Sequence, residues 1–123
     1  MTFSNTDKEI TLIYNSNRHI GKQILAFAQI EKIPIRDIDL VHMKLTTTHW
    51  ADLAVKMGVS VRDLVNTEDS DFLQKFGKMD QLSEDDWLKL LVNNPLILKA
   101  PIVMKGNKIV MMCNPQDMLY FVK

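Results

Sequence analysis

The chain has 123 residues, and its 15 basic and 15 acidic side chains leave a formal net charge of zero, so no overall field steers it onto nucleic acid or an anionic membrane. Hydrophobic residues make up 46% and charged residues 24%, which excludes a disordered chain and fits one packed domain. No run approaches the roughly 18 apolar residues of a membrane span and the start lacks a signal-peptide apolar region; a cytoplasmic protein is expected, and the single cysteine, Cys113, excludes an intrachain disulfide and agrees with a reducing compartment.

Ile10-Thr11-Leu12-Ile13-Tyr14 is a short apolar, β-branched run closed by Asn15-Ser16-Asn17, the pattern of a buried strand followed by a loop. Ile20, Ile24, Phe27, Ala28 and Glu31 then recur at three- and four-residue spacing, predicting a helix that exits before Pro34. From Ile35 to Leu40, Ile38 and Leu40 alternate with Asp37 and Asp39 as in a half-exposed strand. The middle reads as helical: Thr47 or Thr48 caps a helix through Trp50, Leu53, Ala54 and Met57 that stops at Gly58. Ser60 with Asp63, and Ser83 with Glu84-Asp85-Asp86, open two more helices by capping-box spacing.

The period changes in the last third. Pro101 to Met104 and Ile109 to Met112 flank Gly106-Asn107, which predicts a β-hairpin. Asn114-Pro115-Gln116-Asp117 supplies a cap, a proline for the first helical position and an acidic third residue, ahead of a closing helix through Met118, Leu119, Phe121 and Val122. The order is β-α-β, helices, β-β-α, with no internal repeat.

That order matches a thioredoxin-like fold, and three segments carry a closer likeness. They are the strand end Tyr14-Asn15, the run Met57-Gly58-Val59-Ser60-Val61-Arg62-Asp63-Leu64, and Asn94-Pro95-Leu96 leading into Ala100-Pro101-Ile102-Val103. Together they resemble the arsenate reductases of the glutaredoxin-coupled type and the related Spx transcription regulators. The resemblance spans nearly the whole chain. It implies an α/β, glutaredoxin-like fold with a mixed four-stranded sheet, one domain over 1–123 and a helical insertion at about 46–94. It also implies a cis peptide bond before Pro101, a form that is cheap only at proline.

In the family a cysteine, followed four residues later by an arginine, attacks arsenate, and three further arginines hold the oxyanion. Carried across, the cysteine falls on Arg18 and its arginine on Lys22; the three oxyanion arginines fall on Asn66, Ala100 and Asn114. Arsenate near neutral pH carries about two negative charges, and holding it away from water requires charge-assisted donors. The resemblance therefore implies an arsenate-reductase-like protein without the catalytic cysteine, a non-catalytic binding protein with no cofactor, whose partner is another protein or a small anion.

Two alternatives stand beside it. One is a glutathione- or glutaredoxin-linked reductase that uses another thiol, with Cys113 as the candidate because it precedes the cap Asn114, a setting that favours thiolate; the plainer reading is a small half-buried strand-end residue. The other is an Spx-like regulator that contacts RNA polymerase rather than reading bases directly.

Arg18, His19 and Lys22 surround the expected start of the first helix, where free N–H groups attract anions; they form an anion-binding candidate, or else a solvated surface. His19, His42 and His49 lie in three segments without ligand-pair spacing, so no metal site is expected. Asp37 with Asp39, and Asp80 with Glu84-Asp85-Asp86, read as a strand face and a helix start rather than acid–base pairs. Trp50, Trp87 and the methionines Met104, Met111, Met112 and Met118 read as core, with partner contact as the alternative.

Overall fold

The computed structural model describes residues 9–78 and 81–121, so Asp80 and Val122 lie outside the described residues. Two compact units are present, one spanning Lys44–Lys99 and the other formed by the flanking segments up to Met43 and from Ala100 onward.

The flanking segments build the sheet. Strands β1 (Ile10–Tyr14), β2 (Ile35–Asp39), β3 (Ile102–Lys105) and β4 (Lys108–Met111) lie in the order β2-β1-β3-β4. The β1–β2 pair is parallel, and the β1–β3 and β3–β4 pairs are antiparallel, so the sheet is mixed. All five residues of β1 are buried, as a β-branched run covered on both faces should be. Helix α1 (His19–Ile30) makes the crossover between the parallel strands and buries Gly21, Ile24 and Ala28. The Ile24 and Ala28 side chains join Ile10, Leu12, Tyr14, Val103, Met112, Met118 and Phe121 in one apolar core.

Gly21 has a steric reason to be glycine. A Cβ there would lie 2.6 Å from Tyr14 Cδ2 and 2.7 Å from Tyr14 Cβ, inside van der Waals contact. At its far end α1 stops through Lys32, which takes φ 56° and lets the Ile33 amide donate to the Ala28 carbonyl at 2.8 Å, before Pro34 is reached. The β3–β4 turn places Gly106 at φ 59°, where a side chain would be strained.

After β4, Asn114 Oδ1 accepts from the Gln116 amide at 3.0 Å and caps a 3-10 turn, Pro115–Asp117. This turn runs into a single α-helical turn, numbered α5 (Met118–Phe121), so the expected closing helix begins with 3-10 geometry. The bond before Pro101, expected cis, is trans, since no described peptide bond is cis; trans is the lower-energy form for an alanyl–proline amide.

The Lys44–Lys99 unit is helical. Helix α2 (Thr47–Met57) is capped by Thr46, one residue before the predicted cap. Thr46 Oγ1 accepts from the His49 amide at 3.2 Å while His49 Nδ1 accepts from the Thr46 amide at 3.2 Å. Histidine takes the role usually filled by Glu or Gln, which is why the pattern was missed. Gly58 ends α2 in the left-handed region. Ser60 and Asp63 close the expected box around a 3-10 turn, Val61–Leu64, and Ser83 with Asp86 caps α4 (Glu84–Asn93). Between them lies α3 (Ser70–Phe76), which the sequence reading did not contain. Trp50 and Trp87 are both buried, with Phe72 stacked on Trp87 at a centroid distance of 6.4 Å. Of the methionines, Met104, Met112 and Met118 are buried, which removes them as contact residues.

Two substitutions test these contacts. Gly21→Ala should lower stability by about 1–3 kcal/mol through overpacking against Tyr14, and Ser83→Ala by about 1 kcal/mol through the lost cap, each read as a shift in the urea unfolding midpoint.

Candidate functional site

Strand register gathers the sequence-predicted positions at one end of the sheet. Tyr14 pairs with Asp39, and Ile13, Ile102 and Met111 lie in line across β1, β3 and β4. The Asn15–Arg18 loop, Pro101, Cys113 and Asn114 therefore all leave the sheet at the same end, with the Met112 amide bonded to the Pro101 carbonyl at 2.8 Å. Two strand spacings, about 10 Å, separate the line of β1 from that of β4. Cys113 is exposed rather than half-buried.

The loop after β1 is internally hydrogen-bonded. The Arg18 amide donates to the Asn15 carbonyl at 3.0 Å, the Asn17 amide to Asn15 Oδ1 at 2.9 Å, and the Ser16 amide to Asp39 Oδ1 at 3.2 Å. The same Asp39 oxygen accepts from the Val41 amide at 3.0 Å, and Asp39 Oδ2 lies 3.7 Å from His42 Nε2. One carboxylate at the end of β2 thus ties together the loop after β1 and the turn after β2. The amides of Ser16, Asn17 and Arg18 are thus engaged within the fold and are not available to cradle an oxyanion.

Partial burial works against ionisation of Asp39. Hydrogen bonds from the Ser16 side chain and from the Val41 and Ser16 amides, with His42 adding attraction, outweigh it and hold the carboxyl below its usual range. Beside it, the Tyr14 hydroxyl donates to Asp37 Oδ2 at 3.1 Å. Burial first, then this bond and the charges of Asp37 and Asp39, push the Tyr14 phenol up to about 12.

Arg18, His19 and Lys22 are exposed around the start of α1. Arg18 stands at the helix N-cap without a side-chain cap bond, and no acidic residue occupies the first turn. The positive end of the α1 dipole is therefore flanked by basic side chains, with no acidic residue of its own first turn to favour it.

Asn66 lies in the other unit, in a cleft of about 220 Å³ lined by Arg62, Asp63, Thr67, Glu68 and Lys99 as well as Asn66. The cleft exists because the chain segments either side of Val65 and Leu98 meet in an antiparallel bridge. The Lys99 amide donates to the Leu64 carbonyl at 2.7 Å and the Asn66 amide to the Ile97 carbonyl at 3.3 Å. Neither the tie made by Asp39 nor this cleft was foreseen. For Asp39 the signal was present in its place at the end of a strand before a turn; for the cleft it was not, since nothing local pairs residue 65 with residue 98. Among the described residues no group of three or more His, Cys, Asp or Glu side chains is placed to hold a metal ion.

The model of the ArsC family matches residues 6–121 of this sequence. The chain belongs to the ArsC family. Arsenate reductase from Vibrio cholerae superposes with a TM-score of 0.79 at 17% identity, covering 94% of this chain and 98% of that one. An arsenate reductase (ArsC) related protein from Brucella melitensis gives 0.69 at 14%, covering 98% and 99%, and SACOL0876 from Staphylococcus aureus gives 0.67 at 23%, covering 89% and 96%. At these identities the likeness is one of fold: the thioredoxin-like α/β architecture expected above. No curated protein matches the sequence. No helix among the described residues is long and apolar enough to cross a membrane.

Titration tests the two acidic centres of this ArsC-family site. Because the Asp39 pKa is lowered by folding, its stabilisation is present above the usual carboxylate range and lost as pH falls through the lowered value. The stability gap between the native chain and Asp39→Asn should therefore be constant near neutrality and close on acidification, measured by urea unfolding at a series of pH values. For Tyr14 the raised pKa means that stability is retained below pH 10 and lost as pH rises toward 12; phenolate absorbance should show a transition near pH 12 that is missing in Tyr14→Phe.

Proposed function

We propose that this is an ArsC-family protein that has lost the thiol chemistry of arsenate reduction and acts by binding. One observation carries the reading. The loop where the family's nucleophile belongs holds Arg18, and its amides are already bonded to Asn15 and Asp39. A reduction of this kind needs a thiolate to attack the oxyanion and cationic donors to hold it. Arg18 supplies no thiolate, and Asn66, Ala100 and Asn114 stand where the family's clamp would be. Asn114 already uses its side-chain oxygen as a cap. The binding surface on this reading is the exposed Arg18, His19 and Lys22 group, and its counterpart is a carboxylate of a partner protein or a small anion. Proteins captured from a lysate of the source by the native chain and lost with Arg18→Ala/Lys22→Ala would identify that counterpart.

A second reading is favoured by one fact of placement: Cys113 is exposed at the same end of the sheet as the loop. On that reading the Cys113 thiolate displaces water from arsenate, glutathione then attacks the Cys113 sulfur and expels arsenite, which takes the two electrons and leaves a Cys113–glutathione mixed disulfide for glutaredoxin to reduce, and this turnover disappears in Cys113→Ser.

The two separate in one assay. With arsenate, glutathione, glutaredoxin and a coupled reductant, the native chain should give no turnover above the protein-free rate, and Arg18→Cys alone should not restore it because the clamp is still missing. Full turnover in Arg18→Cys would overturn the first reading; turnover in the native chain that vanishes in Cys113→Ser would establish the second.

A further inference from the structure

Among the described residues, three elements of the Lys44–Lys99 unit open with a reciprocal capping box, and one of the three is built differently. Asp63 closes the box of the Val61–Leu64 turn and Asp86 that of α4, each accepting from the amide of its cap residue. In α2 the acceptor is a ring nitrogen: His49 Nδ1 takes the Thr46 amide at 3.2 Å. An imidazole nitrogen accepts only while it carries no proton. The proton of the neutral ring therefore sits on Nε2. A second proton, added to Nδ1, would turn the acceptor into a donor that faces another donor.

The surroundings oppose a charged ring as well. His49 Nε2 is buried, so water cannot hydrate the cation from that side. The ring also stands in the first turn of α2, where the positive end of the helix dipole repels a cation. Helix α2 packs against α4 and the Val61–Leu64 turn. The carboxylates of these elements have their own partners. Glu84 accepts from the Val61 amide at 3.0 Å, Asp63 from Ser60 and Asp86 from Ser83, while Asp85 pairs with Lys89 and, on α2 itself, Asp52 with Lys56. The remaining charged groups, Arg62 and, two residues before the cap, Lys44, have the same sign as a protonated ring.

We propose that the His49 box is a pH-sensitive latch at the entry to the helical unit, closed by the neutral ring and released by its protonation. Histidine ordinarily takes up its proton at about pH 6.5. The fold holds the neutral form, so the unfolded chain binds the proton more readily; the stability given by the box is present above that range and lost as pH falls through it. Release frees the Thr46 amide and loosens the first turn of α2, which carries the fully buried Trp50.

The test is urea unfolding of the full chain at about pH 7.5 and about pH 5.5, either side of the ordinary histidine range, for the native chain and His49→Gln. Glutamine is an ordinary capping-box residue whose oxygen accepts at both pH values. His19 and His42 are present in both chains, so their titration cancels in the comparison. Between the two pH values, the unfolding constant of the native chain should rise about fivefold more than that of His49→Gln, the ordinary contribution of a cap. Parallel changes in the two chains would overturn the proposal. NMR of the native chain gives a second check that needs no variant. At the higher pH the ring proton should be on His49 Nε2, and on acidification the Thr46 amide should move together with the His49 ring while the Ser83 amide, whose box is closed by a carboxylate, stays in place. A proton on Nδ1 at the higher pH, or a Thr46 amide that does not follow the ring, would also overturn it.

Discussion

The contact on which the rest depends is the packing of Gly21 on the Tyr14 ring. Tyr14 is the last residue of β1, one of the two central strands, and Gly21 lies in the first turn of the helix that follows. Because no Cβ intervenes, α1 descends directly onto the strand it has just left, and the connecting loop can be only four residues, Asn15 to Arg18. A loop that short cannot wander. Its amides turn back onto Asn15 and onto the Asp39 carboxylate, and Tyr14 and Asp39 are brought together by the register of β1 with β2. Helix position, loop conformation and the electrostatics of Tyr14 and Asp39 are thus one linked arrangement.

That linkage gives the site its chemical character. In a loop built to activate a nucleophile, free amides and a positive helix end lower the energy of a thiolate or an oxyanion. Here a resident carboxylate occupies part of that role, and the residues around the helix end are themselves cationic.

How far the sequence could be read depended on the range of the interactions concerned. Strands β1 and β2, α1, the β3–β4 hairpin, and the Ser60 and Ser83 caps were legible because each rests on residues within a few positions of one another. The cap of α2 was misplaced by one residue, since the reciprocal partner is His49 rather than an acidic or amide side chain. Helix α3 was not seen: it spans seven residues, too few for a periodic apolar face, and only the Phe72 and Phe76 spacing with Gly77 behind it marks the place. Of the candidate site, the place of Arg18, His19 and Lys22 at the start of α1 could be named in advance. The tie through Asp39, the trans bond at Pro101 and the cleft around Lys99 depend on pairing between distant segments, which local patterns do not encode.

The sheet ends in two very different edges, and both are guarded. β4 offers only four residues, opened by the exposed Lys108, and β2 carries the exposed charges of Arg36 and Asp37 in its middle. A neighbouring chain adding a strand at either side would have to desolvate those charges for few backbone hydrogen bonds. The charge placement at both edges therefore protects the chain, at high concentration, from growing edge to edge into aggregates.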